Sequence, residues 1–244
     1  MKRELAMGVN AVEGLLRQAP ERIARVWIRP GSRRLAELES GLRASGVAIE
    51  HAQDRALDRM AGRVRHQGVI AEFRPRQPGD DRRLLELLER EDGEALYLLL
   101  DGVQDPSNLG ACLRTAAAAA VTAVIIPKNK AAGLTPAARR AAAGAAECVE
   151  LITVTNLART LRLMADHHIW RIGLAAGTGS SLFGARLDGA LALVLGGEES
   201  GLRRLTREHC DELVEIPMPG SVESLNVSVA AGIALFAAVE RRLR

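Results

Sequence analysis

The chain has 244 residues, of which 48% are hydrophobic and 26% charged, enough for one large domain or two small ones with real cores. Its 33 basic and 30 acidic residues leave a net charge of +3, too weak a surplus to argue for nucleic acid and too mixed in sign for disorder. No uncharged apolar run approaches the roughly 18 to 20 residues of a membrane helix, and the opening MKRELAMGVN lacks the apolar centre of a signal peptide. A soluble, cytoplasmic protein without a membrane partner is therefore expected.

Arginine supplies nearly all the positive charge: Lys2, Lys128 and Lys130 are the only lysines among the 33 basic residues. Cys112, Cys148 and Cys210 lie far apart with no C-x-x-C pair, and the 5 histidines show no metal-ligand spacing. Free thiols and no metal site are expected. With only 3 Phe, 2 Trp and 1 Tyr, the chain cannot present the aromatic rows on which RRM or OB-fold proteins stack bases.

Charge divides unevenly along the chain. Residues 1–76 hold 15 basic and 9 acidic residues, a net of +6, whereas residues 77–244 hold 18 and 21, a net of −3. The prolines and glycine of residues 74–81 (RPRQPGDD) cannot continue a helix or a central strand, so a linker is expected over 74–92, between domains at 1–73 and 93–244. In the first, apolar periodicity predicts helices at 9–18, 33–44 and 54–61 and strands at 23–28, 47–49 and 68–73, a small α/β unit. Next come a helix at 84–88 and continuous apolar runs at 95–100, 124–126, 149–152, 169–174, 191–195 and 213–216. These suit strands buried on both faces. Helical stretches separate them, including alanine-rich pieces at 116–120 and 137–146, and a final helix covers 226–242. Alternation of this kind predicts an α/β fold with a parallel sheet covered on both sides.

Ligands of such sheets bind in the loops beyond the carboxyl ends of the strands. Three loops are rich in Gly, Asn, Ser and acid. The first, residues 101–114 (DGVQDPSNLGACLR), leads from a strand into a helix; Asn108 is there either an N-cap or a ligand-binding residue, and Arg114 follows one to two turns later. The second, 195–202 (LGGEESGL), has paired glycines that admit a ligand close to the backbone and Glu198 as an acceptor. It is neither a Walker loop nor a nucleophile elbow, and 177–182 (GTGSSL) lacks the third glycine of a dinucleotide fingerprint. In the third, 216–226 (IPMPGSVESLN), Ser221, Ser224 and Asn226 either bind a ligand or cap the last helix.

In this order and spacing the three loops resemble the signature motifs of the SpoU (TrmH) family of RNA ribose 2′-O-methyltransferases. Further similarity at 8–16 (GVNAVEGLL), 66–71 (HQGVIA), 154–160 (VTNLART) and 203–213 (RRLTREHCDEL) points within it to the bacterial 23S rRNA guanosine-2′-O-methyltransferases. The resemblance implies a C-terminal SPOUT domain with a deep trefoil knot, used as a homodimer, behind an L30e-like domain that binds RNA. It implies S-adenosylmethionine as cofactor, held near Gly196, Ile216 and Leu225 with Leu195 and Met218 walling the adenine. Catalytic roles fall by the same resemblance on Asn108, Arg114, Glu198, Ser224 and Asn226. Because a guanidinium stays protonated, Arg114 is expected to orient the nucleotide and stabilise the developing alkoxide rather than act as a simple base. The chain departs from the family pattern at Ala117 and Ala120, where an acid and a glycine are common, and at Glu199, where glycine is usual. Alternatives are a methyltransferase for tRNA or another rRNA nucleotide, and a non-catalytic RNA-binding protein of the same fold.

Overall fold

The computed structural model describes residues 3–62, 64–91, 93–198 and 200–244, so Glu199 lies outside the described residues. The chain forms two compact units, 1–77 with 143–148, and 78–142 with 149–244.

Unit 1 contains β1 (Glu4–Met7), α1 (Val9–Gln18), β2 (Ile23–Ile28), α2 (Arg33–Ala44), β3 (Ile49–His51), α3 (Asp54–Ala61) and β4 (Val69–Phe73). Its sheet has the order β1-β4-β2-β3, parallel only between β2 and β3. Val12, Leu15, Val26, Ile28, Leu35, Leu38, Leu42, Val69 and Phe73 form the core. Ser32 caps α2 by accepting from the Leu35 N–H at 3.2 Å, as its position before a periodic run dictates. The strand predicted at 47–49 forms instead at Ile49–His51, because Val47 N–H closes the end of α2 on Leu42 O at 3.1 Å. Residues 143–148 join this unit through Glu147, a buried carboxylate that accepts from the Arg76 N–H at 2.9 Å.

Unit 2 holds α4 (Asp81–Leu88), β5 (Leu96–Asp101), α5 (Pro106–Ala118), β6 (Ala123–Pro127), α6 (Pro136–Ala142), β7 (Leu151–Val154), α7 (Leu157–Asp166), β8 (Trp170–Leu174), β9 (Leu191–Gly196), α8 (Arg204–Glu208), β10 (Glu212–Val214) and α9 (Val227–Arg242). All six strands are parallel, in the order β10-β8-β9-β5-β6-β7. The central strand β5 is buried along its whole length, which explains its unbroken apolar run. Tyr97 and Leu99 face a layer containing Leu84, Leu88, Leu157, Leu161 and Met164; strand alternation turns Leu98 and Leu100 to the other face. Burial of each such leucine stabilises the fold by about 1.5–3 kcal/mol.

Two expectations change here. Within the stretch read as linker, Gly79 pairs with β7 through the Gly79 N–H to Leu151 O (2.8 Å) and Thr153 N–H to Gly79 O (2.8 Å), and α4 buries Leu84 and Leu88. The alanine-rich 137–146 is not one helix: α6 ends at Ala142, Ala143 turns to φ +49°, and a 3₁₀ turn, Ala145–Glu147, follows. High alanine propensity yields there to the demand that the chain cross into unit 1.

Helices α5 and α6 pack closely at Gly110, where a Cβ would collide with the Ala138 carbonyl oxygen and the Ala141 side chain. No helix of the described residues is long and apolar enough to cross a membrane. All three cysteines are free, and burial pushes the thiols of Cys112 and Cys210 up to about 12.

Candidate active site

The three polar loops converge at the carboxyl ends of β5, β8 and β9. In the first, Asp105 and not Asn108 caps α5, accepting from the Ser107 N–H at 2.8 Å. Asn108 is the third residue of α5, and its side chain is free of capping duty. Its amide nitrogen donates to the Glu198 carboxylate, and its amide oxygen accepts from Asn226 Nδ2 at 3.0 Å. Asn226 takes the capping role: its Oδ1 caps α9 through the Ser228 N–H at 2.9 Å, while its nitrogen reaches Asn108. One residue from each loop thus meets in a chain Glu198–Asn108–Asn226, spanning 90 and 118 positions of sequence.

The loop carrying Glu198 is held at both ends by Asp101. The Asp101 backbone oxygen accepts from the Gly197 N–H at 2.9 Å, and its fully buried carboxylate accepts from the Arg203 N–H at 2.9 Å and lies 3.3 Å from the Arg203 guanidinium. At Gly196 a Cβ would collide with the Gly201 backbone, so this crossing tolerates only glycine. Asp101 was not among the candidates, although an acid ending a wholly apolar strand run is the signal that marks it.

Beside the chain lies a cleft of about 370 Å³, a volume suited to a small organic ligand. Leu195, Gly196, Ile216, Met218 and Leu225, all named from the sequence, line it together with Glu198, Ser224 and Asn226. Leu174, Glu215 and Glu223 also line it and were missed; Glu215 is fixed by the Thr178 N–H at 2.9 Å. Glu198, Glu215 and Glu223 and no basic residue line a wall that also carries Ser224, Asn226 and several apolar side chains, a residue set that fits a cation bearing an apolar group.

Arg114 does not join this cluster. Six residues beyond Asn108, it is turned about 120° around the helix and displaced about 9 Å along it. It is exposed and has no hydrogen-bond or ion-pair partner among the described residues. Ser221, also weighed as a ligand residue, is exposed and does not line the cleft. No group of three or more His, Cys, Asp or Glu among the described residues is arranged to hold a metal.

Comparison with known proteins agrees with this architecture. Residues 95–236 match the SpoU rRNA Methylase family, and residues 5–79 match the RNA 2′-O ribose methyltransferase substrate-binding family. The 23S rRNA (guanosine-2′-O-)-methyltransferase RlmB of Xanthomonas campestris is 50% identical over 97% of this chain and 96% of its own. That of Escherichia coli K12 is 49% identical over 98% and 99%. In fold, the chain is similar to the AdoMet-bound rRNA methyltransferase from Sinorhizobium meliloti, with a TM-score of 0.76 at 23% identity over 99% of this chain and 88% of that one. The chain belongs to the SpoU rRNA methylase family.

Proposed function

We propose that this protein transfers a methyl group from S-adenosylmethionine to the ribose 2′-oxygen of a guanosine in 23S rRNA. The observation that carries the reading is the Glu198–Asn108–Asn226 chain beside the acidic and apolar cleft, in a chain about half identical over its length to two 23S rRNA guanosine-2′-O-methyltransferases. When bound, S-adenosylmethionine would supply a methyl on a cationic sulfonium for the ribose 2′-oxygen, leaving as the neutral thioether S-adenosylhomocysteine while the hydroxyl proton passes to water.

The chain's own residues bind and orient. Backbone at Gly196, Ile216 and Leu225 reads the adenine, Leu195 and Met218 cover its faces, and the carboxylates favour the cationic end. Ser224, at the cleft wall, supplies a hydroxyl beside the ribose. Asn108 and Asn226 hold the Glu198 carboxylate in one orientation, and orientation of this kind is worth several kcal/mol in a displacement that needs the reacting atoms aligned at about 3 Å.

Arg114 requires a second copy of the chain. Its separation from Asn108 within α5 supports a homodimer in which the partner's Arg114 engages the RNA at this cleft, orienting phosphate and stabilising the alkoxide. Exposed apolar side chains on and near α9, with Phe183 55%, Val229 50% and Phe236 48% exposed, support a self-complementary face. The tight backbone crossings at Gly196 and Gly197 support a trefoil knot in residues 93–244. The basic 1–73 region serves as the L30e-like RNA-binding domain, and a large-subunit RNA substrate supports a cytoplasmic enzyme.

Ribose-methylation mapping of 23S rRNA from cells lacking the gene tests the reading. One guanosine is expected to lose its methyl and to regain it when purified protein and S-adenosylmethionine are added. An unchanged map overturns the proposal. Mixed dimers of Arg114→Ala and Glu198→Ala chains are expected to recover activity that neither variant shows alone.

A further inference from the structure

One glycine-rich loop takes no part in the polar chain Glu198–Asn108–Asn226. Residues 177–182 (GTGSSL) follow β8, and Gly177 and Gly179 take the left-handed conformation at φ +71° and +72°, which turns the segment back onto the chain that follows β10. It closes on Glu215 by three hydrogen bonds. The Glu215 N–H donates to Ser180 O at 2.8 Å, the Leu182 N–H donates to Glu215 O at 2.9 Å, and the Thr178 N–H donates to the Glu215 carboxylate at 2.9 Å. Thr178 Oγ1 accepts from the Ser180 N–H at 3.3 Å and ties the turn across.

The outcome is a carboxylate fixed in place with one oxygen free. Oε2 takes the Thr178 N–H, and Oε1 has no partner among the described residues. Of the three acids lining the cleft, Glu215 is the half-buried one; Glu198 and Glu223 are exposed, and Glu198 is already engaged by Asn108. A neutral acceptor such as serine or glutamine would satisfy the Thr178 N–H, so the turn does not account for the charge. Leu174, Leu195, Ile216 and Met218 supply the apolar part of the wall. By itself such a wall favours a neutral ligand, because a cation gives up hydration on entry. Glu215 reverses that preference, since unlike charges attract over several ångströms where water is partly displaced.

Resting on the methyltransferase reading of this cleft, we propose that Glu215 is the charge by which it holds the methyl donor in preference to the spent cofactor. S-adenosylmethionine carries one positive charge more than S-adenosylhomocysteine, and the two otherwise differ by a methyl group. An apolar wall reads a single methyl weakly, so charge is the larger lever. The same difference loosens the product once its methyl has gone, which frees the cleft for the next donor.

Calorimetric titration of the full-length protein with S-adenosylmethionine and, separately, with S-adenosylhomocysteine tests it in the parent and in E215Q, E215D and E223Q variants. Glutamine keeps the shape and an oxygen for the Thr178 N–H but carries no charge. E215Q is expected to weaken donor binding about tenfold while product binding stays within about twofold of the parent, and the retained product affinity shows that the cleft is intact. E215D restores the charge and most of the preference, and E223Q, at an exposed position, shifts it by about threefold or less. An equal loss for both ligands in E215Q overturns the proposal, because it assigns Glu215 to a group they share or to the loop alone. So does a larger shift in E223Q than in E215Q. A parent that binds neither ligand refutes the methyltransferase reading, whereas a parent that binds both, with a ratio of affinities unmoved by E215Q, refutes only the role of Glu215.

Discussion

The two units use charge in opposite ways. In unit 1, Arg3, Arg25, Arg29, Arg33, Arg34 and Arg43 are each paired with a carboxylate at 2.6–3.3 Å, so the basic surplus counted along the chain resides on the basic residues outside these pairs. What remains available is concentrated at Arg55 and Arg59 of α3, at Arg65 and at Arg74, all exposed and without ion pairs among the described residues. In unit 2 the net charge is negative, yet Lys128 and Lys130 are unpaired, and Glu198, Glu215 and Glu223 line one cleft. Where the unpaired charges sit therefore says more about a partner than their sum.

If unit 2 works by geometry, its largest sensitivity lies in the Glu198–Asn108–Asn226 chain. Asn108→Ala and Glu198→Ala are each expected to lower kcat by about 10² to 10³, the usual consequence of losing a preorganised polar group at a reacting centre. The double variant should lose little more than the worse single one, because the residues act as a unit. Independent, additive losses in steady-state kinetics would show that the three loops are not coupled.

Packing in unit 2 is next in size. Gly110→Ala drives a methyl into the Ala138 carbonyl and the Ala141 side chain, so α5 and α6 must part, at about 1–3 kcal/mol. Chemical denaturation measures it; an unchanged midpoint would mean that this contact is loose. For unit 1 the corresponding test is electrostatic. Arg55→Gln with Arg59→Gln is expected to weaken 23S rRNA binding about tenfold, whereas Arg33→Gln with Arg43→Gln, whose partners lie four residues away on the same helix, should change it less than twofold. Equal losses from both pairs would erase the distinction between neutralised and available arginine.

Much of this was legible along the chain because it depends on local chemistry. The apolar run ending β5 can only be a strand covered on both faces, and the three loops announced themselves by residue types that strands and helices avoid. Asp101 was less visible, since its meaning depends on Arg203, 102 residues away. β1 (Glu4–Met7) was missed for a similar reason: its ELAM sequence has no strand pattern of its own and is organised by pairing with β4. The grouping of Asn108 with Glu198 and Asn226 came from resemblance, which also put Arg114 in that group. Helix geometry separates Arg114 from it, because residues six apart do not share a face, and the spacing alone carries that signal.

The smallest expected effect sits at the end of α5. After α5, Val121 N–H bonds back to Ala116 O at 3.0 Å and Ala120 N–H to Ala117 O at 3.3 Å, a helix-ending motif whose turning residue is left-handed and usually glycine. Ala120 occupies that place at φ +52° and is exposed, so its methyl gains no packing in return for the strain. Relief of about 1 kcal/mol or more on substitution by glycine is offset in part by the greater freedom glycine has when unfolded. Ala120→Gly is therefore expected to stabilise the protein by up to about 1 kcal/mol, raising the melting temperature by about 2–4 °C for a chain of this size, with methylation unchanged. His168 repeats the arrangement after α7, at φ +59° with Ile169 N–H on Met164 O at 3.0 Å, so His168→Gly should shift stability in the same direction. A lower melting temperature in both variants would mean that these helix ends draw their stability from side-chain contacts rather than from backbone conformation.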